Sequence, residues 1–161
     1  MNNFVLSIDM GQAVDPSAIV ILRPWTRREQ ADAMYHDPPG PDVPLKWFRT
    51  DTDGGLIEPD KVEAIDVVHL ERLRLRMPYP EQVEYVRRLL ARPPLDTANV
   101  ALVVDQTGVG RPIVDQFREA GMKPVGVTIT SGDGESRGEK FGEWRVSKMM
   151  LVSRLQAMFH Q

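Results

Sequence analysis

Val100-Ala101-Leu102-Val103-Val104-Asp105 is an unbroken apolar run that ends on an acid. Such a run, too short for a helix and rich in β-branched residues, reads as a strand covered on both faces. A second stretch of the same form, Phe4-Val5-Leu6-Ser7-Ile8-Asp9, opens the chain, and Gly11 then permits a sharp turn. If the two are neighbours in one sheet, Asp9 and Asp105 project together from its carboxyl edge, where α/β sheets place their ligands.

Outward from these two runs, Ser17 to Leu22 reads as a second buried strand, joined to the first by a connection short enough for an antiparallel pair and closed by Arg23-Pro24. Residues 25–60 hold Pro38, Pro39, Gly40, Pro41, Pro44, Gly54, Gly55 and Pro59 without a sustained period, the mark of a long irregular insertion. Alternation returns at 62–68 and continues through His69 to Leu73 as a third strand. A helix follows, with Pro80 and Glu81 in its first turn and Val83, Val86, Leu89 and Leu90 on one face, stopped by Arg92-Pro93-Pro94. After Asp105, Gly108 and Gly110 bend the chain into a helix carrying Pro112, Ile113, Phe117 and Ala120, and Gly121 ends it. Val125, Val127 and Ile129 mark a fifth strand, 131–138 a loop, and Met149, Met150, Val152, Leu155 and Met158 a last helix from Val146 onward. An early antiparallel meander followed by right-handed crossovers predicts one α/β domain over residues 1–161, a mixed five-stranded sheet with helices on both faces.

Composition narrows the function classes. Of the 161 residues 42% are hydrophobic and 27% charged, enough apolar material for a core and too much for a disordered tail. The absence of cysteine removes disulfide frameworks, thiolate zinc sites and cysteine nucleophiles, so a metal must sit on oxygen or imidazole. Neither a secretory leader nor a membrane span is signalled. The net charge of −3 hides alternating segments, and two of them are basic: Arg72/Arg74/Arg76 with Arg87/Arg88/Arg92, and Arg137/Lys140/Arg145/Lys148/Arg154. These read either as polyanion contacts or as solvated helix faces.

Two carboxylates held close repel, and in water-poor surroundings they share a proton or hold a cation; hard oxygen ligands match Mg²⁺ or Mn²⁺. Asp15, six residues beyond Asp9, stands to add a third oxygen, or else Asp15-Pro16-Ser17 is a turn or capping signal. The phrase Ile8 to Ala18, then His69-Leu70-Glu71-Arg72 with Tyr79-Pro80, then Val103 to Gly110 with Val114-Asp115, and finally Ser147-Lys148, together resemble the nuclease domain of phage terminase large subunits. The similarity covers most of the chain apart from the insertion. It implies a ribonuclease H-like fold and a two-metal endonuclease acting on double-stranded DNA during genome packaging, in the cytoplasm of a bacterial host carrying the phage or prophage. By that resemblance Asp9 would bridge two Mg²⁺ or Mn²⁺ ions, Asp105 would hold one of them, and Asp15 would be an accessory ligand. Arg137, Lys140, Arg145 and Lys148 would hold the DNA backbone. The chain has no Gly-x-x-x-x-Gly-Lys-Ser/Thr loop, so a separate packaging ATPase domain or portal is the expected partner. The family also places a carboxylate on a helix downstream of the segment matching 146–161; Asp133, Glu135 and Glu143 are the substitutes at hand.

Other readings stay open at this level. His69, within an apolar strand, reads as a hydrogen-bonded structural histidine rather than a base. Gly108-Val109-Gly110 fits a packing turn as well as a phosphate cradle. Trp25, Trp47 and Trp144 fit packing better than base stacking, and the late methionines fit core filling. A degenerate DNA-binding or packaging-partner module, a four-way-junction resolvase and half of an actin-like ATPase are the competing functions.

Overall fold

The computed structural model describes residues 3–11, 14–26, 62–108, 111–139 and 141–159. Seven strands form one sheet: β1 (Asn3–Asp9), β2 (Ala18–Thr26), β3 (Val62–Arg72), β4 (Asn99–Asp105), β5 (Pro124–Thr130), β6 (Glu135–Arg137) and β7 (Glu143–Ser147). Their order is β3-β2-β1-β4-β5-β7-β6. β2 is antiparallel to both β1 and β3, whereas β1, β4, β5 and β7 run parallel. The helices are α1 (Tyr79–Leu90), α2 (Arg111–Glu119) and α3 (Lys148–Phe159), with a 3-10 turn at Leu95–Thr97. The five strands expected from the sequence are present, in the order β3-β2-β1-β4-β5 within one mixed sheet. The sheet is wider than five strands, however, because the segment expected to be a loop at 131–138 turns back as the β6–β7 hairpin. The insertion expected at about 25–60 lies, beyond Thr26, outside the described residues, as do Trp47 and Lys140.

Side-chain alternation divides the sheet into two unlike faces. Phe4, Leu6 and Ile8 of β1, with Ile19, Ile21, Leu102 and Val104 beside them, form one buried cluster with Val83, Val86 and Leu89 of α1 and Ile113, Val114 and Phe117 of α2. Seven of these, Leu6, Ile8, Ile19, Val86, Val104, Val114 and Phe117, are essentially inaccessible to solvent. Burying a side chain of this size contributes about 1.5–3 kcal/mol, so this layer supplies most of the driving force. The alternate residues Val5, Ser7, Ala101 and Val103 are only half-buried, and Asp9 at the end of the row is exposed. Arg154 of α3 meets Glu135 of β6 at 3.3 Å. Because Glu135 is paired with Val146, which shares a face with Trp144, α3 stands on the side opposite α1 and α2.

β2 runs on through Arg23 and Pro24 to Thr26 rather than stopping where proline was expected to close it. Beyond Leu22 it pairs with β3 alone, since the β1 ladder ends at Val5↔Leu22. A proline there has an unpaired edge to which its missing N–H costs nothing.

Candidate functional site

Asp9 and Asp105 are register partners on adjacent parallel strands, the last residues of β1 and β4. They share the less covered face. No hydrogen bond fixes the Asp9 carboxylate among the described residues. Partial loss of solvent at this strand end first, and then the charges of Asp105 and Asp15, push its pKa above the ordinary aspartate value. Loss of solvent and neighbouring negative charge both disfavour the ionised form, and a bound cation would offset both.

Asp105 is held differently. Its Oδ1 accepts from the Thr107 backbone N–H at 2.8 Å and from the Thr107 hydroxyl. The same hydroxyl accepts from the Ile129 N–H at 2.8 Å, tying the carboxylate to β5. Oδ2 makes none of these bonds. The adjoining Gln106 turns into the opposite face, where its Nε2 donates to Thr128 Oγ1 at 3.1 Å and its backbone N–H to Val127 O at 2.9 Å.

The turn after β1 is built on a close approach. A side chain at Gly11 would place its Cβ 2.2 Å from Asp15 O, 2.7 Å from Pro16 C and 2.8 Å from Ser17 N, which is why glycine stands there. The Gly11 N–H donates to Ser17 Oγ at 2.9 Å, and that hydroxyl donates to Gln82 Oε1 of α1 at 2.6 Å. Gln82 in turn donates from Nε2 to Met77 O at 2.8 Å and is almost fully buried. The loop carrying Asp15 is therefore pinned to the first helix, and Asp15 itself stays exposed at its tip.

Asp105 and Asp15 thus both come within electrostatic reach of Asp9. Carboxylate oxygens are the donor type that hard divalent cations take. Among the described residues no group of three or more acidic or histidine side chains is drawn tightly enough to enclose a metal unaided.

The chain is similar in structure to a phage terminase nuclease. The solved structure is the large terminase nuclease from thermophilic phage G20c, with 17% sequence identity, 76% of this chain and 42% of that chain covered, and a TM-score of 0.41. This chain therefore spans less than half of the length of that one. No family model and no curated protein matches it.

The remaining expected residues are spread over two sides of the hairpin. Arg137 pairs with Trp144, which pairs with Val127, which pairs with Asp105, so Arg137 stands on the carboxylates' face. Arg145 pairs with Ser136 and Thr128 and points to the other face, with Glu139 at 4.0 Å. Lys148 is exposed at the first turn of α3. Of the substitute acids, Glu143 is buried on the helix-covered side and Glu135 is engaged by Arg154; neither joins the Asp9–Asp105 pair.

His69 is indeed hydrogen-bonded: its Nε2 lies 3.1 Å from Glu71 Oε2, and the Tyr85 hydroxyl donates to the same carboxylate at 2.6 Å. Tyr85 above all, and then His69, hold Glu71 below its ordinary pKa. Trp25 is used in packing, donating to Asp66 Oδ2 at 2.6 Å with Arg23 stacked 3.8 Å over its ring. Gln82 carried no signal in the sequence, and Ser17 and Thr107 entered only within the Asp15-Pro16-Ser17 and Val103 to Gly110 stretches, with no role of their own. Thr107 follows Asp105 by two residues, the spacing of an Asx turn, and that signal was available.

Proposed function

We propose that this chain is a divalent-metal-dependent endonuclease module acting on double-stranded DNA, of the kind that terminates genome packaging beside an ATPase supplied by another domain or protein. The observation that carries the reading is the register pairing of Asp9 with Asp105 at the ends of two parallel strands, with the Asp9 pKa pushed upward. Asp9 and Asp105 would together hold the Mg²⁺ or Mn²⁺ ions, Asp105 with its Oδ1 already fixed by Thr107. Bound there, such ions supply the activation of water and the neutralisation of charge gathering on the phosphate.

The protein's own contribution is placement. Thr107 fixes the Asp105 carboxylate through two donors, and the Gly11–Ser17–Gln82 chain fixes the Asp15 turn. Exposure of this edge leaves room for a duplex, and no histidine is needed as a base. Arg137 and Lys148 lie in the segment that would meet the phosphodiester backbone, with Arg145 on the reverse side of the hairpin.

Supercoiled plasmid incubated with Mn²⁺ tests this. The reading expects nicked and linear products from the wild type and none from Asp9→Asn or Asp105→Asn. Plasmid that stays supercoiled with the wild type would favour the non-catalytic DNA-binding module. Cleavage that survives both substitutions would reject the site.

A further inference from the structure

The strand registers join into one transverse row that crosses the whole sheet. Arg72 of β3 pairs with Ala18 of β2, Ala18 with Asp9, Asp9 with Asp105, Asp105 with Val127, Val127 with Trp144, and Trp144 with Arg137. Residues paired across neighbouring strands share a face, so all seven side chains stand on the side away from α1 and α2. Six spacings of about 4.8 Å make the row about 29 Å long, a little under one turn of B-DNA, about 34 Å.

Charge along the row is ordered: an arginine at each end, two carboxylates near the centre, and small or apolar residues between. Arg72 is two strands from Asp9, about 10 Å, and Arg137 three strands from Asp105, about 14 Å. Arg72 is exposed and has no ion pair among the described residues, whereas its neighbour Arg74 is drawn toward Glu81 at 3.5 Å. Arg72 stands at the end of an edge strand, in line with the carboxylates.

We infer that duplex DNA lies along this row, crossing the strands, with Arg72 a phosphate-binding residue on the side of the cut opposite the β6–β7 hairpin. The carboxylate pair, once neutralised by cations, would then meet a phosphate held from both flanks, Arg72 on one and Arg137 on the other. Trp144, half-buried two strands from Asp105, supplies the flat apolar surface between Asp105 and the hairpin edge. The contact class is sequence-tolerant, because phosphate contacts position a duplex without reading it. The inference deepens the nuclease reading and rests on it.

The test is fluorescence anisotropy of a labelled duplex of about three helical turns, titrated with the full chain in Ca²⁺ at several salt concentrations. Arg72→Gln is expected to weaken binding about three- to tenfold and to lower the salt slope by about one, with Arg72→Lys recovering part of the loss. Arg88→Gln, an exposed arginine on α1 behind the sheet, controls for the change in net charge and is expected to bind as the wild type does. Wild-type binding with an Arg72→Gln isotherm that overlays it would overturn the track while leaving the nuclease reading to the plasmid assay. Equal weakening by Arg72→Gln and Arg88→Gln would reduce the effect to net charge and overturn it too. A wild type that binds no duplex would overturn both readings.

Discussion

Replacing Asp9 with asparagine is expected to stabilise the protein when no divalent cation is present. The partner carboxylate is on the adjacent strand at the same register, which sets the charges about 5 Å apart. At that distance two unit charges repel by about 1 kcal/mol in a water-like dielectric and about 3 kcal/mol at an effective dielectric of about 20. Asp9 is exposed, so the lower figure applies, and a Debye length of about 8 Å at physiological salt leaves much of it unscreened. A gain of about 1 kcal/mol corresponds to about 2–4 °C in melting temperature for a chain of this size.

The pH dependence has a definite sign. The Asp9 carboxyl is raised above its unfolded value, so what it contributes to stability is present below the unfolded pKa and lost as pH rises through the folded one. The advantage of Asp9→Asn should therefore be present at neutral pH and vanish in acid, where Asp9 is protonated in both states. Calorimetry in EDTA across that range, with Asp105→Asn and the double variant completing a cycle, reads both the gain and its coupling. The double variant should gain less than the two single gains added. An Asp9→Asn protein less stable than the wild type at neutral pH in EDTA, or one whose advantage persists unchanged in acid, refutes the account of this pair.

Three further outcomes follow from the surroundings of the site. Gly11→Ala forces a methyl group onto the backbone of residues 15–17 and should cost about 3 kcal/mol in urea denaturation. Thr107→Val strips the hydroxyl from Asp105 and from the Ile129 N–H; it should cost about 1–3 kcal/mol and lower Mn²⁺ affinity about 10- to 100-fold by calorimetric titration. Tyr85→Phe removes the main donor to Glu71 and should cost about 1–2 kcal/mol at neutral pH. Because Glu71 is held below its ordinary pKa, that stability is present above the unfolded value and lost as pH falls through the folded one, so the two proteins should converge in acid.

The pairing of Asp9 with Asp105 was legible because both close apolar runs on an acid, although β1 and β4 alternate buried with half-buried residues rather than being covered on both faces as the unbroken run at 100–104 suggested. The β6–β7 hairpin was not legible. Its strands are three and five residues long, Gly132, Gly134 and Gly138 break the pattern, and only Trp144 and Val146 alternate. Once formed, it separates Arg137 from Arg145, which a linear reading groups into one basic patch. The continuation of β2 through Pro24 depends on where the β1 ladder stops, which no local signal records. The bond from Ser17 to Gln82 joins residues 65 apart in the chain, so it follows from the packing of α1 rather than from any motif around Asp15.

The central claim is that Asp9 and Asp105 act jointly as ligands. Mn²⁺ titration followed by the electron paramagnetic resonance of the free ion tests it without requiring turnover. The wild type should deplete the free-ion signal, and Asp9→Asn and Asp105→Asn should each lose most of that binding while remaining folded. Three superimposable isotherms would contradict the claim.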